Sequence, residues 1–218
     1  RQHGLLPQQI KWRRRKIKSL GKKFREEHPE DDVSCFLTSG QCFFQPTDLI
    51  LDMIEEMPEY LDGQLPNVKV QQLRGAGPMN YQVIWIPPAA GEEYCIGCDS
   101  SEGRAESDPN GLGVINRRTG EQCAKVYGRF DPSTLAEHCG RMSTMYNNAF
   151  LGIEINNMGH AVVLRAMQLG LGPRMYHHGE GRPGWDTTNV TRPVMLQDLC
   201  DVILPPEGHK GWTINDRE

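Results

Sequence analysis

The chain has 218 residues, 38% of them apolar and 24% charged, with a formal net charge of −4; this is ordinary globular composition, enough for one large domain or two small ones. No run approaches the roughly 18 apolar residues that cross a bilayer, and charged residues stand where a signal peptide would carry its apolar segment, so the expectation is a soluble protein with no membrane partner. Seven cysteines, an odd number at irregular spacing, argue against a disulfide framework and for a reducing cytoplasm.

The charge is unevenly distributed along the chain. Residues 11–25, "KWRRRKIKSLGKKFR", carry nine basic side chains, among them Arg13, Arg14, Arg15 and Lys16, and no acid. Residues 26–62 then contain no Lys or Arg but eleven acids. Ile10, Ile17, Leu20 and Phe24 recur at helical spacing, which predicts an amphipathic helix. Its basic face either follows nucleic-acid phosphates or is a solvated surface paired with the acidic stretch.

Thr47 or Asp48 is a candidate cap for a helix over "DLILDMIEEM", closed by Pro58. "NVKVQQLRG" and "NYQVIWIPP" read as strands, with a domain boundary expected between them at Gly75-Ala76-Gly77-Pro78. This divides the chain into residues 1–75, a helical and linker segment, and 76–218. In the second part "EEYCIGCD" is a buried strand, and "GLGVINRR" and "EQCAKVYGR" form a hairpin around Thr119-Gly120. Asp131 and Pro132 open a helix. "FLGIEIN", "MGHAVVLRAMQLG" and "RMYHH" follow as strand, helix and short strand, and a Gly-rich loop leads to a last helix, "RPVMLQDLCDVIL".

Three antiparallel strands followed by a helical crossover predict a mixed sheet, because the crossover returns the chain parallel to an earlier strand. If that strand lies beside "EEYCIGCD", the C-terminal ends of the two meet, and Asp99 meets Glu154. Carboxylates held together repel unless protonated or bridged by cations. Their hard oxygens suit Mg²⁺ or Mn²⁺, and a pair of such ions supports phosphodiester hydrolysis. Asp108 is a third candidate, on a loop able to fold back over the strand end; a turn aspartate before Pro109 is the alternative.

Cys95 and Cys98, three apart on a strand, point to opposite faces and cannot grip one zinc. His177 and His178 are candidates for phosphate or metal contact. Asn156, Asn157 and Gly159 either open a helix toward a phosphate or simply end the strand. No G-x-x-x-x-G-K-[ST] phosphate loop is present.

Residues 94–163, from "YCIGCDSSEG" through "MYNNAFLGIEINNMGHAVV", resemble the nuclease domain of the large terminase subunit of tailed bacteriophages and prophages. The resemblance rests on Asp99, Glu102, Gly103, Asp108, Tyr146, Asn147, Gly152, Glu154, Asn156, Asn157 and Gly159. "GLLPQQIKWRRRKIKSLGKKFREEHPEDDVSCFLTSGQCFF" is similar to the segment that closes the family's ATPase domain. The resemblance implies a ribonuclease H-like α/β fold, a mixed sheet with flanking helices. It also implies a metal-dependent endonuclease of the viral packaging motor, with Asp99, Glu154 and Asp108 holding two Mg²⁺ or Mn²⁺ ions.

Its implied substrate is concatemeric double-stranded DNA in the bacterial host cytoplasm. The implied partners are the portal protein, the small terminase subunit and copies of itself in a ring, with ATP used only by a further ATPase domain. The resemblance places the family's third catalytic aspartate beyond residue 218, since neither Asp198 nor Asp201 sits in its context. Other readings left open are a catalytically silent DNA- or motor-binding fragment and an actin-like or sugar-kinase-fold ATPase, although the latter needs an internal repeat that the chain lacks.

Overall fold

The computed structural model describes residues 6–21, 24, 27–28, 44, 47–56, 69–74, 79–104, 106–156, 158–179 and 181–216. The chain divides into two compact units, Arg1–Glu56 and Met57–Glu218. In the first, helix α1 (Pro7–Leu20) opens on a proline, and the Gln9 side-chain oxygen accepts the Leu6 N–H at 2.8 Å. A proline suits this position because its missing N–H would have been unpaired anyway. Six of the nine basic residues, from Lys11 to Lys18, lie on α1, with Arg14 and Arg15 exposed. The Arg13 guanidinium lies 5.8 Å from the ring centre of Phe24, and the Lys16 ammonium 5.9 Å from that of Trp12. Helix α2 spans Thr47–Glu56; the side chains of its expected caps, Thr47 and Asp48, lie outside the described residues, as does Pro58.

The second unit is built on a six-stranded sheet in the order β1-β2-β5-β4-β3-β6. Its strands are β1 (Lys69–Gln72), β2 (Tyr81–Ile84), β3 (Tyr94–Asp99), β4 (Asn110–Asn116), β5 (Gln122–Gly128) and β6 (Phe150–Ile153). Every neighbouring pair is antiparallel except β3 and β6, which run parallel. This is the mixed sheet expected from a hairpin followed by a helical crossover. The boundary expected at Gly75–Pro78 lies outside the described residues; β1 and β2, on either side of it, pair with each other.

The crossover is helix α3 (Pro132–Met145). Asp131 caps it as its sequence predicts, accepting from the N–H groups of Ser133 and Thr134 at 3.0 and 3.1 Å. Helix α4 (Gly159–Gln168) packs beside α3, and helix α5 (Thr191–Ile203) buries none of its residues. Among the described residues no helix is long and apolar enough to cross a membrane.

The main core lies between α3, α4 and one sheet face, with Ile96, Cys98, Leu112, Val114, Val126, Leu151 and Ile153 contributed by strands. Period-2 alternation therefore sends Cys95, Gly97 and Asp99 to the opposite face. There Gly97 pairs with Gly113 and Gly152, and Asp99 with Gly111. No described atom lies within 4 Å of the position a Cβ would take at Gly97, Gly111 or Gly113. Among the described residues, the centre of this face is bare backbone.

One expected strand is shorter than its sequence suggests. "RMYHH" yields only β7 (His177–His178), paired with β8 (Arg182–Pro183) and not with the main sheet. The reason is that two passes of the chain share the edge of β6. Tyr176 donates to the Leu151 carbonyl, and Trp185 to that of Ile153, both at 2.7 Å.

Candidate active site

The two acids are brought together by backbone register. Cys98 pairs with Ile153 across the parallel β3–β6 ladder, and the next residue on each chain is Asp99 and Glu154. The Glu154 N–H donates to the Cys98 carbonyl at 2.9 Å. Glu154 lies just beyond the end of β6, not inside it, and forms a bridge with Trp185.

Partial desolvation of the Asp99 carboxyl, followed by the nearby Glu154 carboxyl and its charge, pushes it up to about 6 from the ordinary 3.8. The charge of Asp108 adds to the rise. Two adjacent carboxyls cannot both ionise cheaply, so Asp99 holds its proton to a higher pH than an ordinary aspartate.

Asn156 fixes the orientation of Glu154. Its amide nitrogen donates to Glu154 Oε1 at 3.0 Å and to the Thr187 carbonyl at 2.9 Å. The Asn156 carbonyl also accepts the N–H of Gly159, so that helix N–H is already used within the chain. Gly159 itself is required by close approach, because a Cβ there would collide with the Glu154 carbonyl oxygen. The Ser100 hydroxyl is buried at the same corner, with no hydrogen-bond partner among the described residues.

Asp108 approaches through the loop after β3. The Ser101 hydroxyl donates to the Asp108 carbonyl and accepts from the Asn110 amide at 3.2 Å, so the loop folds back as expected. Asn110 Oδ1 accepts the Phe130 N–H, and the Arg129 side chain donates to the Ser107 carbonyl, both at 2.8 Å. Asp108 remains exposed and acts on Asp99 through its charge. Among the described residues no set of three or more His, Cys, Asp or Glu side chains is placed to hold an ion. The carboxylates that touch are two, Asp99 and Glu154.

The remaining predicted residues lie elsewhere. His177 and His178 sit on the β7–β8 ribbon, where His177 Nδ1 donates to the Met175 carbonyl at 2.9 Å. The His178 ring lies 5.5 Å from that of Trp185. Arg13, Arg14, Arg15 and Lys16 belong to the first unit. Cys98 is buried in the core and Cys95 is half-buried on the other face, so they do not form a metal clasp.

Tyr146 and Asn147 have a structural task. The Tyr146 hydroxyl donates to the Ile86 carbonyl at 2.8 Å, and the Asn147 amide donates to the carbonyls of Ala89 and Glu92 at 2.7 and 3.0 Å. They tie the start of β6 to the approach of β3, which sets the register of the acids. Trp185 and Thr187, both beside Glu154, escape a reading of the sequence because they lie in a Gly-rich loop with no periodicity.

No family model matches the chain, and no curated protein does. Solved structures do. The magnesium-bound large terminase nuclease from thermophilic phage G20c has a TM-score of 0.50 at 15% identity, covering 67% of this chain and 70% of that one. A further structure of the G20c nuclease scores 0.42 at 12% identity, covering 59% of this chain and 63% of that one. The Thermus phage P74-26 large terminase nuclease domain scores 0.46 at 15% identity, covering 67% and 68%. The likeness of fold rests on the first of these: the chain has the ribonuclease H-like α/β fold seen in the large terminase nuclease of phage G20c.

Proposed function

We propose that the chain is a divalent-metal-dependent DNA endonuclease of a viral genome-packaging motor, cutting concatemeric double-stranded DNA. The observation that carries this reading is the meeting of Asp99 and Glu154 at the parallel strand ends, with the Asp99 carboxyl pushed up to about 6 by partial burial and by Glu154. The donor set fits Mg²⁺ or Mn²⁺. Mg²⁺ is commonly held by one or two carboxylates, with water and substrate phosphate completing its shell. A site with two touching acids meets that need without a third.

Asp99 and Glu154 would hold the ions, with Asp108 supplying further negative charge nearby. Bound cations would supply charge neutralisation at the scissile phosphate and a more acidic attacking water. The chain's own contribution is positioning. Register places the two carboxyls side by side, Asn156 aims Glu154, and Gly159 leaves room for both. Gly97, Gly111 and Gly113 leave the neighbouring sheet face open, so a phosphodiester backbone can lie against the acids without meeting a side chain.

On this reading the first unit is the end of an ATPase domain, and the second, which includes β1 and so begins ahead of the boundary expected at residue 75, is the nuclease domain. Arg13, Arg14, Arg15, Lys16, His177 and His178 contact DNA phosphates. The partners are the portal protein, the small terminase subunit and further copies in a ring, within the bacterial host cytoplasm. ATP would be used by a separate domain.

One observation favours a second reading, a DNA-binding fragment without catalysis: the convergence of only two acids among the described residues. Plasmid nicking with Mn²⁺ separates the two. The nuclease reading predicts cleavage by the wild-type chain and none by Asp99→Ala, whereas equal cutting by both assigns the activity to a contaminant.

A further inference from the structure

The bare sheet face ends in a buried cation. Lys125, on β5, pairs with Gly113, which pairs with Gly97, which pairs with Gly152. The adjacent row runs Tyr81, Tyr127, Gly111, Asp99. Lys125 therefore shares a face with the acid pair, with only glycines between. At about 4.8 Å between strands and 3.4 Å per residue, Lys125 and Asp99 stand roughly 12 Å apart, a span of three to four base pairs at about 3.4 Å each.

The Lys125 side chain is only 8% exposed, and both carboxylate oxygens of Asp216 hold its ammonium, at 2.8 and 2.7 Å. The ammonium also lies 4.8 and 5.4 Å from the ring centres of Tyr127 and Tyr81. Packing does not call for a charge here, since the neighbouring buried side chains are Tyr81, Val83 and Trp85. A buried ion pair is commonly no more stabilising than apolar residues of similar volume.

Asp216 arrives on a half-buried strap held to β5 by polar bonds. Gln122 Oε1 accepts the N–H groups of Asn215 and Asp216 at 2.8 and 3.0 Å, and Thr213 exchanges backbone bonds with Gly120 and Gln122. Such bonds are readily traded for water when a strap lifts.

We infer that Lys125 is a phosphate-contact residue for DNA lying across the glycine floor toward Asp99, and that the Asp216 carboxylate occupies its ammonium until a DNA phosphate displaces it. The inference rests on the nuclease reading and names a part of its DNA site. Carboxylate and phosphate present the same paired oxygens to the ammonium, and the strap makes the exchange local.

The test is binding of a fluorescent 30-base-pair duplex to the 218-residue chain in EDTA, over a range of salt concentrations. Asp216→Asn is expected to bind roughly three- to tenfold more tightly at low salt, with a slope of log affinity against log salt steeper by about 0.9, the value for one added phosphate contact. Adding Lys125→Met to Asp216→Asn should return the slope to that of wild type. In parallel, duplex should speed hydrogen exchange at the amides of Thr213, Asn215 and Asp216 in the wild-type chain, a readout that holds even if a variant folds poorly. Wild-type DNA binding with an unchanged slope in Asp216→Asn and unchanged exchange in the strap overturns the inference and makes the pair purely structural. Absence of DNA binding by every form overturns both the inference and the nuclease reading beneath it.

Discussion

Asp99 and Glu154 stand side by side at the ends of parallel strands although 55 positions apart in sequence, because the Glu154 N–H donates to the Cys98 carbonyl at 2.9 Å. Two acids acting as one site should be equally indispensable. Asp99→Asn and Glu154→Gln are each expected to slow Mn²⁺-dependent plasmid nicking by about 100-fold or more, and the double variant should be scarcely worse than either single one. Initial nicking rates on supercoiled plasmid check this; losses that multiply would mean that the two act separately.

Asn156 has no direct role in the proposed chemistry but aims the Glu154 carboxylate at 3.0 Å. Partners that orient metal ligands typically contribute 10- to 100-fold in metal affinity or activity. Asn156→Ala should therefore weaken Mn²⁺ binding and cleavage by about that factor, while Asn156→Asp, adding a third acid, should place a new negative charge beside Glu154 and raise the pH needed for activity. Mn²⁺ titration and a pH–rate profile report the two effects.

The raised Asp99 carboxyl makes metal-free stability depend on pH. Its folded value of about 6 lies above the ordinary 3.8, so between these values the folded state holds more protons than the unfolded one, and stability falls as pH rises through that window. The penalty is complete above about pH 6 and absent below about pH 4. Because Asp99 remains solvent-exposed, the penalty is screened to the order of 1 kcal/mol. Melting in EDTA from pH 4 to 7.5 should show this decline, and Asp99→Asn should remove it and be the more stable form at pH 7.5. Mg²⁺ should raise the melting temperature of wild type and not of Asp99→Asn.

Gly159→Ala tests the close approach of α4 to the strand end. Its Cβ would meet the Glu154 carbonyl oxygen and crowd the Ser100 hydroxyl, so the helix start or the acid must shift. Overpacking of this kind costs about 1–3 kcal/mol, and cleavage should fall along with stability. Chemical denaturation and the nicking assay measure both; a variant as stable as wild type would contradict the tight contact.

Features set by local chemistry were legible from the sequence. Asp131 and Pro132 start α3 because a cap and a fixed φ act within one turn, and Thr119-Gly120 closes the β4–β5 hairpin. The meeting of Asp99 and Glu154 was legible too, since handedness and connectivity leave few places for a strand that follows a crossover. The relationships that escaped are long-range and aperiodic. Lys125 alternates like any strand residue, and nothing local indicates that Asp216, 91 residues later, will hold it. Trp185 reaches Glu154 only because "RMYHH" yields the β6 edge partway along. Glu154 reads as part of a strand, yet lies just past its end, and simple alternation after Gly152 gives it the face that carries Asp99.

Direct Mn²⁺ binding, measured by electron paramagnetic resonance or calorimetry on the wild-type chain, Asp99→Asn and Glu154→Gln, tests most directly whether the two acids converge on a shared cation. Saturable binding by wild type, weakened by at least about tenfold in each variant, is the expected result. Equal Mn²⁺ affinity in all three proteins would contradict it.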